Sequence, residues 1–368
     1  MYSKKNVKYL GIPKEVIVAS LSEYINELSN IKVDGYYFRG ENDNYRDIKA
    51  TGLRKDEFGR NGELKFINYI EEFYKEIAYK IDEDDKKNFI WFCQYYGIPT
   101  NLVDITKNPL IALYFACQSD NYLKDELGFV YLFDKNNIID ISYNEEILNS
   151  KNLRTELLSL FMLKSNNSFE KLYNMMKILY EKNFNKFKFY MNDVLEEYKG
   201  YRRKKVSEEK EINLKKLENA LNGDKCSLID LINDIRILSE SLNISIDTFN
   251  KNELISIYVL LVAYVLRCTE EFNEPIFWIH FLPILSYEPL VSFDRRRGQY
   301  GLFLYQLYFQ IENDIYGRNM VSKQRIWPDK IIVIQNKEKI LKELYTIGVN
   351  KKSVFGDLDS IAQYIKNS

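Results

Sequence analysis

The sequence predicts a mixed α/β (α+β) protein: a mixed β-sheet domain flanked by helices and interrupted by a large, mostly helical insertion. Three observations carry this. Short β-branched and aromatic runs alternate with amphipathic helices over the first 137 residues. From about residue 138 to 272 the chain is free of proline and rich in Lys, Glu, Asn and Leu at helical spacing. Strand-like runs then return to the end of the chain. The expected division is 1–137 and 273–368 as the two parts of one domain, with 138–272 inserted between them.

Element by element, Val16, Leu21, Ile25 and Leu28 place residues 14–30 on one helical stripe. VDGYYFRG, residues 33–40, reads as a strand. Leu64, Ile67, Ile70, Phe73 and Ile77 mark a helix over 62–80. Phe89 to Tyr96 is a further helix, ended by Gly97 with Pro99 beyond. Leu102, Val103 and Ile105 form a short strand. Asn108 caps the next helix and Pro109 takes its first position. GFVYLFD, residues 128–134, is a buried strand. After the insertion, Pro275 to Ile284, Gly301 to Phe309 and Lys330 to Ile334 read as strands. A helix from Lys337 closes at Gly348, and Asp357 caps a short final helix.

Composition narrows the function classes. Hydrophobic residues make up 46% and charged residues 29%, enough for a sizeable core. The formal net charge is −1, which leaves no global footprint for nucleic acid or an anionic membrane. The Arg202 to Lys205 cluster lies among glutamates and reads as a solvated helix face. The longest apolar run, Leu254 to Leu266, falls short of the roughly 20 residues a membrane span needs. No secretory leader is visible at the start. Four isolated cysteines and the single His280 make no metal-ligand pattern, so no metal is expected. Together these fit a cytoplasmic protein. Nucleotide-binding glycine motifs, a nucleophile elbow and a zinc-protease motif are all missing. His280, within WIHFL, reads as a packed core residue.

Three segments combine polar and glycine residues with apolar flanks. In YYFRGEN, Arg39 ends an aromatic strand. It offers a planar fork to phosphate or carboxylate, with Glu41 close by, and Gly40 permits close approach of a backbone or a ligand. The plainer reading pairs Arg39 with a nearby acid. In QYYGIPTNLVDITKNPLIALYFA, residues 94–116, Gln94, Asp104 and Thr106 stand between apolar runs. Asp104 is expected to be half-buried and to need a partner such as Arg39. A structural ion pair is the alternative. In FDRRRGQYGLF, three arginines from Arg295 precede Gly298 and Gln299 opens a strand, and a basic turn before a strand is the alternative.

These segments resemble the FRG domain family. The family's tripeptide is Phe38-Arg39-Gly40 here, and its downstream arginine is Arg54. The central block of the family is similar to QYYGIPTNLVDIT followed by NPLIALYFA. The late pattern R-x-x-x-Q-x-G-x-F is met by Arg295, Gln299, Gly301 and Phe303, and the stretch from Leu344 resembles the family's ending. The resemblance spans about residues 20–134 and 275–366. Tyr95, Asn101 and Ile105 depart from the family's usual histidine, arginine and tryptophan. The expected function is a ligand-binding cleft lined by Arg39, Glu41, Arg54, Gln94, Asp104 and Arg295, binding a small nucleotide or anionic ligand without strong catalysis. A protein partner would dock through the insertion.

A looser resemblance, to ADP-ribosyltransferases of the Arg-Ser-Glu kind, aligns Arg39, Thr106 and Gln299 in order. It implies NAD as substrate and a role as toxin or phage-defence effector. Arg39 would hold the dinucleotide phosphate and Thr106 would order the clamping strands. Gln299 stands where a carboxylate normally stabilises the oxocarbenium-like transition state, and would do so less well. A nucleic-acid-acting enzyme, with Glu41, Asp43 and Asp104 as its acids, is a further alternative that the balanced charge disfavours.

Overall fold

The computed structural model describes residues 13–45, 47–54, 64–118, 127–140, 142, 284–289, 301–313, 318–355 and 366. Two compact units are present. One comprises residues 1–153, 284–306 and 325–368; the other comprises 154–283 and 307–324. The expected insertion was to begin at residue 138, but Ile138–Asp140 form a strand of the sheet. Residues 143–272, the His280 strand, the Arg202 to Lys205 cluster and the Asp357 cap lie outside the described residues.

The first unit is built on one eight-stranded mixed sheet. Its strands are β1 (Lys14–Val18), β2 (Tyr36–Glu41), β3 (Leu102–Thr106), β4 (Gly128–Asp134), β5 (Ile138–Asp140), β6 (Ile284–Tyr287), β7 (Gly301–Tyr305) and β10 (Lys330–Ile334). Their spatial order is β1-β10-β4-β2-β3-β7-β6-β5. The β1–β10 and β5–β6 pairs are parallel, and the other pairs are antiparallel. Strands from before and after residues 141–283 therefore share one sheet. In the other unit, β8 (Tyr308–Asn313) and β9 (Arg318–Lys323) form an antiparallel pair.

Besides β5, and β6, which runs past the expected Pro275 to Ile284 strand, two further elements differ from expectation. Residues 14–18 are an edge strand rather than the start of a helix. The helix α1 (Leu21–Ser29) begins only after Ser20, whose hydroxyl accepts the Glu23 amide at 3.3 Å. The cap breaks the stripe because Ser20 adopts an extended backbone. The run from Gly301 to Phe309 is likewise not one strand. β7 stops at Tyr305, where Gln306 turns its side-chain oxygen to the Ala50 amide at 2.8 Å and its carbonyl to the Asn101 side chain at 3.1 Å.

The helices of the first unit continue with α2 (Lys65–Ile77), α3 (Glu83–Lys87), α4 (Phe89–Tyr95), α5 (Pro109–Cys117), α6 (Lys337–Thr346) and α7 (Lys351–Phe355). Asn108 caps α5, accepting the Leu110 amide at 2.9 Å, with Pro109 first in the helix. Along α5, Ile111, Ala112, Leu113, Tyr114, Ala116 and Cys117 are all buried. The helix is enclosed on every side.

Two glycines explain how. A Cβ on Gly40 would lie 1.8 Å from the Ala112 carbonyl oxygen, and one on Gly128 would lie 2.1 Å from that of Ala116. Helix α5 thus rests its alanine face directly on the backbones of β2 and β4. Phe38, Val130, Leu132, Ile332 and Ile334 surround it, with Tyr24 and Leu28 of α1 and Ile340 and Leu344 of α6. No helix among the described residues is long and apolar enough to cross a membrane.

Cys93 and Cys117 are buried in this framework, and burial pushes both thiols up to about 12. At neutral pH both thiols therefore stay protonated, the unreactive form. Peptide mapping after alkylation of the native protein should find Cys93 and Cys117 unmodified, and denaturation should expose both. Labelling of either in the native state at the rate of a free thiol would contradict this packing.

Candidate functional site

The site begins with how β2 meets its neighbours. Against β4 it pairs along its whole length, from Tyr36↔Asp134 to Glu41↔Phe129. Against β3 it pairs at a single position, Phe38↔Thr106. Beyond that bridge the ladder stops, and the Arg39 side chain takes its place. Its Nη1 donates to the Asp104 carbonyl oxygen at 2.7 Å. A cavity of about 360 Å³ opens here. Phe38 and Gly40, from one alternation of β2, line it together with Arg39 from the other. It therefore opens into the gap between two strands rather than onto one face of the sheet.

Four residues singled out in the sequence line this cavity: Arg39, Gln94, Asp104 and Thr106. The Arg39 side chain is 15% exposed, and its Nε donates to Glu41 Oε1 at 2.9 Å. Burial alone would lower the pKa of the guanidinium. The charges of Glu41 and Asp104 outweigh burial and hold it above its ordinary value, so it stays cationic. The Nη2 amino group has no partner among the described residues. Glu41 lies outside the cavity lining and is buried, and its Oε2 has no hydrogen-bond partner among the described residues.

Asp104 departs from expectation. It is exposed rather than half-buried, and Arg39 grips its backbone carbonyl rather than its carboxylate. The carboxylate Oδ2 accepts Gln94 Nε2 at 3.3 Å. Gln94 is itself held by the Thr100 hydroxyl, which donates to its Oε1 at 2.5 Å. Thr106 is buried, and its hydroxyl accepts the Asn108 amide at 3.0 Å, tying the end of β3 to the start of α5.

Arg54 is exposed at the end of a short 3₁₀ turn and does not line the cavity. Asp43 also lies off the lining. Arg295 and Gln299 fall outside the described residues. Gln299 stands two positions before Gly301, which lines the cavity and pairs with Thr106.

The walls are what the sequence reading missed. Trp91 and Tyr95 of α4, Phe115 of α5 and Phe303 of β7 make them largely aromatic. A signal existed for α4. Trp91, Gln94 and Tyr95 are spaced i, i+3, i+4 and so share one helical face.

A family model for the FRG domain matches residues 34–125. The chain carries an FRG domain. The matched residues hold β2, β3, α2 to α5 and all of the cavity lining except Gly301, Leu302 and Phe303. The family's Phe-Arg-Gly acquires a physical meaning in each letter. Phe38 is fully buried in the core, Arg39 fills the strand gap, and Gly40 admits α5. No curated protein and no solved structure matched the chain.

Proposed function

We propose that the FRG domain of this protein is a nucleotide-binding module whose ligand enters the aromatic cavity between β2 and β3. The observation that carries this is Arg39. It is held in place through Nε and Nη1, while Nη2 is unengaged among the described residues at a cavity walled by Trp91, Tyr95, Phe115 and Phe303. An aromatic slot with a few convergent polar groups is the usual form of a small-molecule site. A planar ring would stack on the aromatic walls, and the free arginine donors would take an acceptor such as a phosphate oxygen.

Isothermal titration calorimetry with NAD and with ATP tests this. At least one of them should bind with a Kd below millimolar, and Arg39→Lys, which keeps the charge but loses the planar fork, should weaken it about tenfold. No heat with either nucleotide at millimolar concentration would remove the reading.

A second reading, NAD cleavage of the ADP-ribosyltransferase type, is favoured by the strand order. Arg39 and Thr106 lie on adjacent strands, and β7, which follows Gln299 in the chain, is next in the sheet. Two of the three residues of that pattern, Arg39 and Thr106, thus lie on neighbouring strands. Nicotinamide release from NAD measures it, and Gln299→Glu, which restores the carboxylate of the pattern, should raise the rate. No release by either protein would leave binding as the function.

A further inference from the structure

We infer that Asp104 is the group in this cavity that binds the ribose hydroxyls of the nucleotide, so that the ligand is a ribonucleoside derivative rather than a free anion. This rests on the nucleotide-binding reading above and specifies it. Asp104 lines the cavity and is exposed, and its carboxylate makes one hydrogen bond, from Gln94, itself a lining residue, at 3.3 Å; Oδ1 has no hydrogen-bond partner among the described residues.

The carboxylate is also held in place. The Thr100 hydroxyl orients the Gln94 amide, Gln94 addresses Oδ2, and Arg39 fixes the Asp104 carbonyl. A carboxylate with its backbone and one oxygen already positioned loses little freedom on accepting a ligand.

Charge decides which ligand suits it. Asp104 and Glu41 offset the attraction of Arg39 for an anion, so a phosphate would bind there only with other contacts of the same ligand to hold it. A free cation would meet Arg39. A vicinal diol is neutral and donates two hydrogen bonds, which a carboxylate accepts well. The unused donors of Arg39 remain for an acceptor elsewhere on the same ligand. A ribose carrying a ring and a phosphate supplies all three features.

The test compares ATP and NAD with analogues that lack ribose hydroxyls, on the wild type and on Asp104→Asn, by calorimetry. Wild type should bind the ribose form at least about tenfold more tightly, since each hydrogen bond to a charged group contributes on that scale. In Asp104→Asn the preference should vanish. The analogue comparison on wild type does not depend on any variant folding. Equal affinity of wild type for both forms would overturn the assignment while leaving nucleotide binding intact, as would a preference that survives in Asp104→Asn. No binding of ATP or NAD by wild type would overturn the nucleotide reading, and this inference with it.

Discussion

Gly40→Ala is expected to destabilise the protein by more than about 3 kcal/mol, above the ordinary range for an overpacked core. The added methyl would sit 1.8 Å from the Ala112 carbonyl oxygen and 2.8 Å from the Ala116 amide nitrogen. Both are backbone atoms of a helix enclosed on all sides, so neither can swing aside as a long side chain would. The helix would have to lift off the sheet, which also opens the contact at Gly128. Gly35→Ala is the internal control. A Cβ there meets nothing within 4 Å, so the change should be neutral or slightly stabilising. Urea unfolding of the two variants gives the comparison directly. Equal midpoints would mean that α5 lies farther from β2 than described.

Arg39→Ala is expected to cost about 3–5 kcal/mol, the scale for removing one partner of a buried ion pair. The change leaves Glu41, with a side chain only 6% exposed, without its cation. It also leaves the Asp104 carbonyl without a donor where the β2–β3 ladder has stopped. The double variant Arg39→Ala/Glu41→Ala should recover part of the loss, because no uncompensated charge remains. Denaturant midpoints of the two single variants and the double variant measure this coupling. A double variant no more stable than Arg39→Ala alone would show that Glu41 is not the group the arginine compensates. The same pairing means that lost ligand binding in Arg39→Ala would report unfolding as much as lost contact. For that reason Arg39→Lys is the better probe of function.

The central strands were legible because each packs apolar side chains at both alternations. Phe129 to Phe133 of β4 are all buried, and so are Ile331 to Ile334 of β10. A run of that kind reads as a buried strand whatever its neighbours. β1 was not legible, since Val16, Ile17 and Val18 run on toward the stripe of Leu21, Ile25 and Leu28, although Val16 lies five residues, about 140° of helix, from Leu21. The corrective signal was Ser20 followed by Glu23, the start of a capping motif. The break after Tyr305 was marked by the polar Gln306, whose partners Ala50 and Asn101 are distant in sequence.

Of the polar residues singled out in the sequence, Arg39, Gln94, Asp104 and Thr106 line one cavity, while Glu41 and Arg54 do not. The exposure of Asp104 was not legible. Apolar neighbours imply burial only if the strand is paired on both sides. At Asp104 the register toward β7 continues while that toward β2 has ended. The aromatic walls were hidden for a different reason. A Trp or Phe in a helix reads as core, and only assembly decides whether its far side meets protein or a void.

The order of strands in the sheet also sets the order in which it can be built during synthesis. β4, β2 and β3 are neighbours made early, but their outer edges are covered only by β10 and β7, which follow residues 141–283. β1, the first strand made, enters the sheet solely through β10. Closing so long a loop costs little in equilibrium stability, since each doubling of its length adds only about 0.6 kcal/mol. Its cost is in time. A ribosome adding roughly 5–20 residues per second leaves two bare strand edges open for many seconds before Ile334 emerges. Escape from aggregation in that interval, more than the final stability, is the demand this topology places on the growing chain.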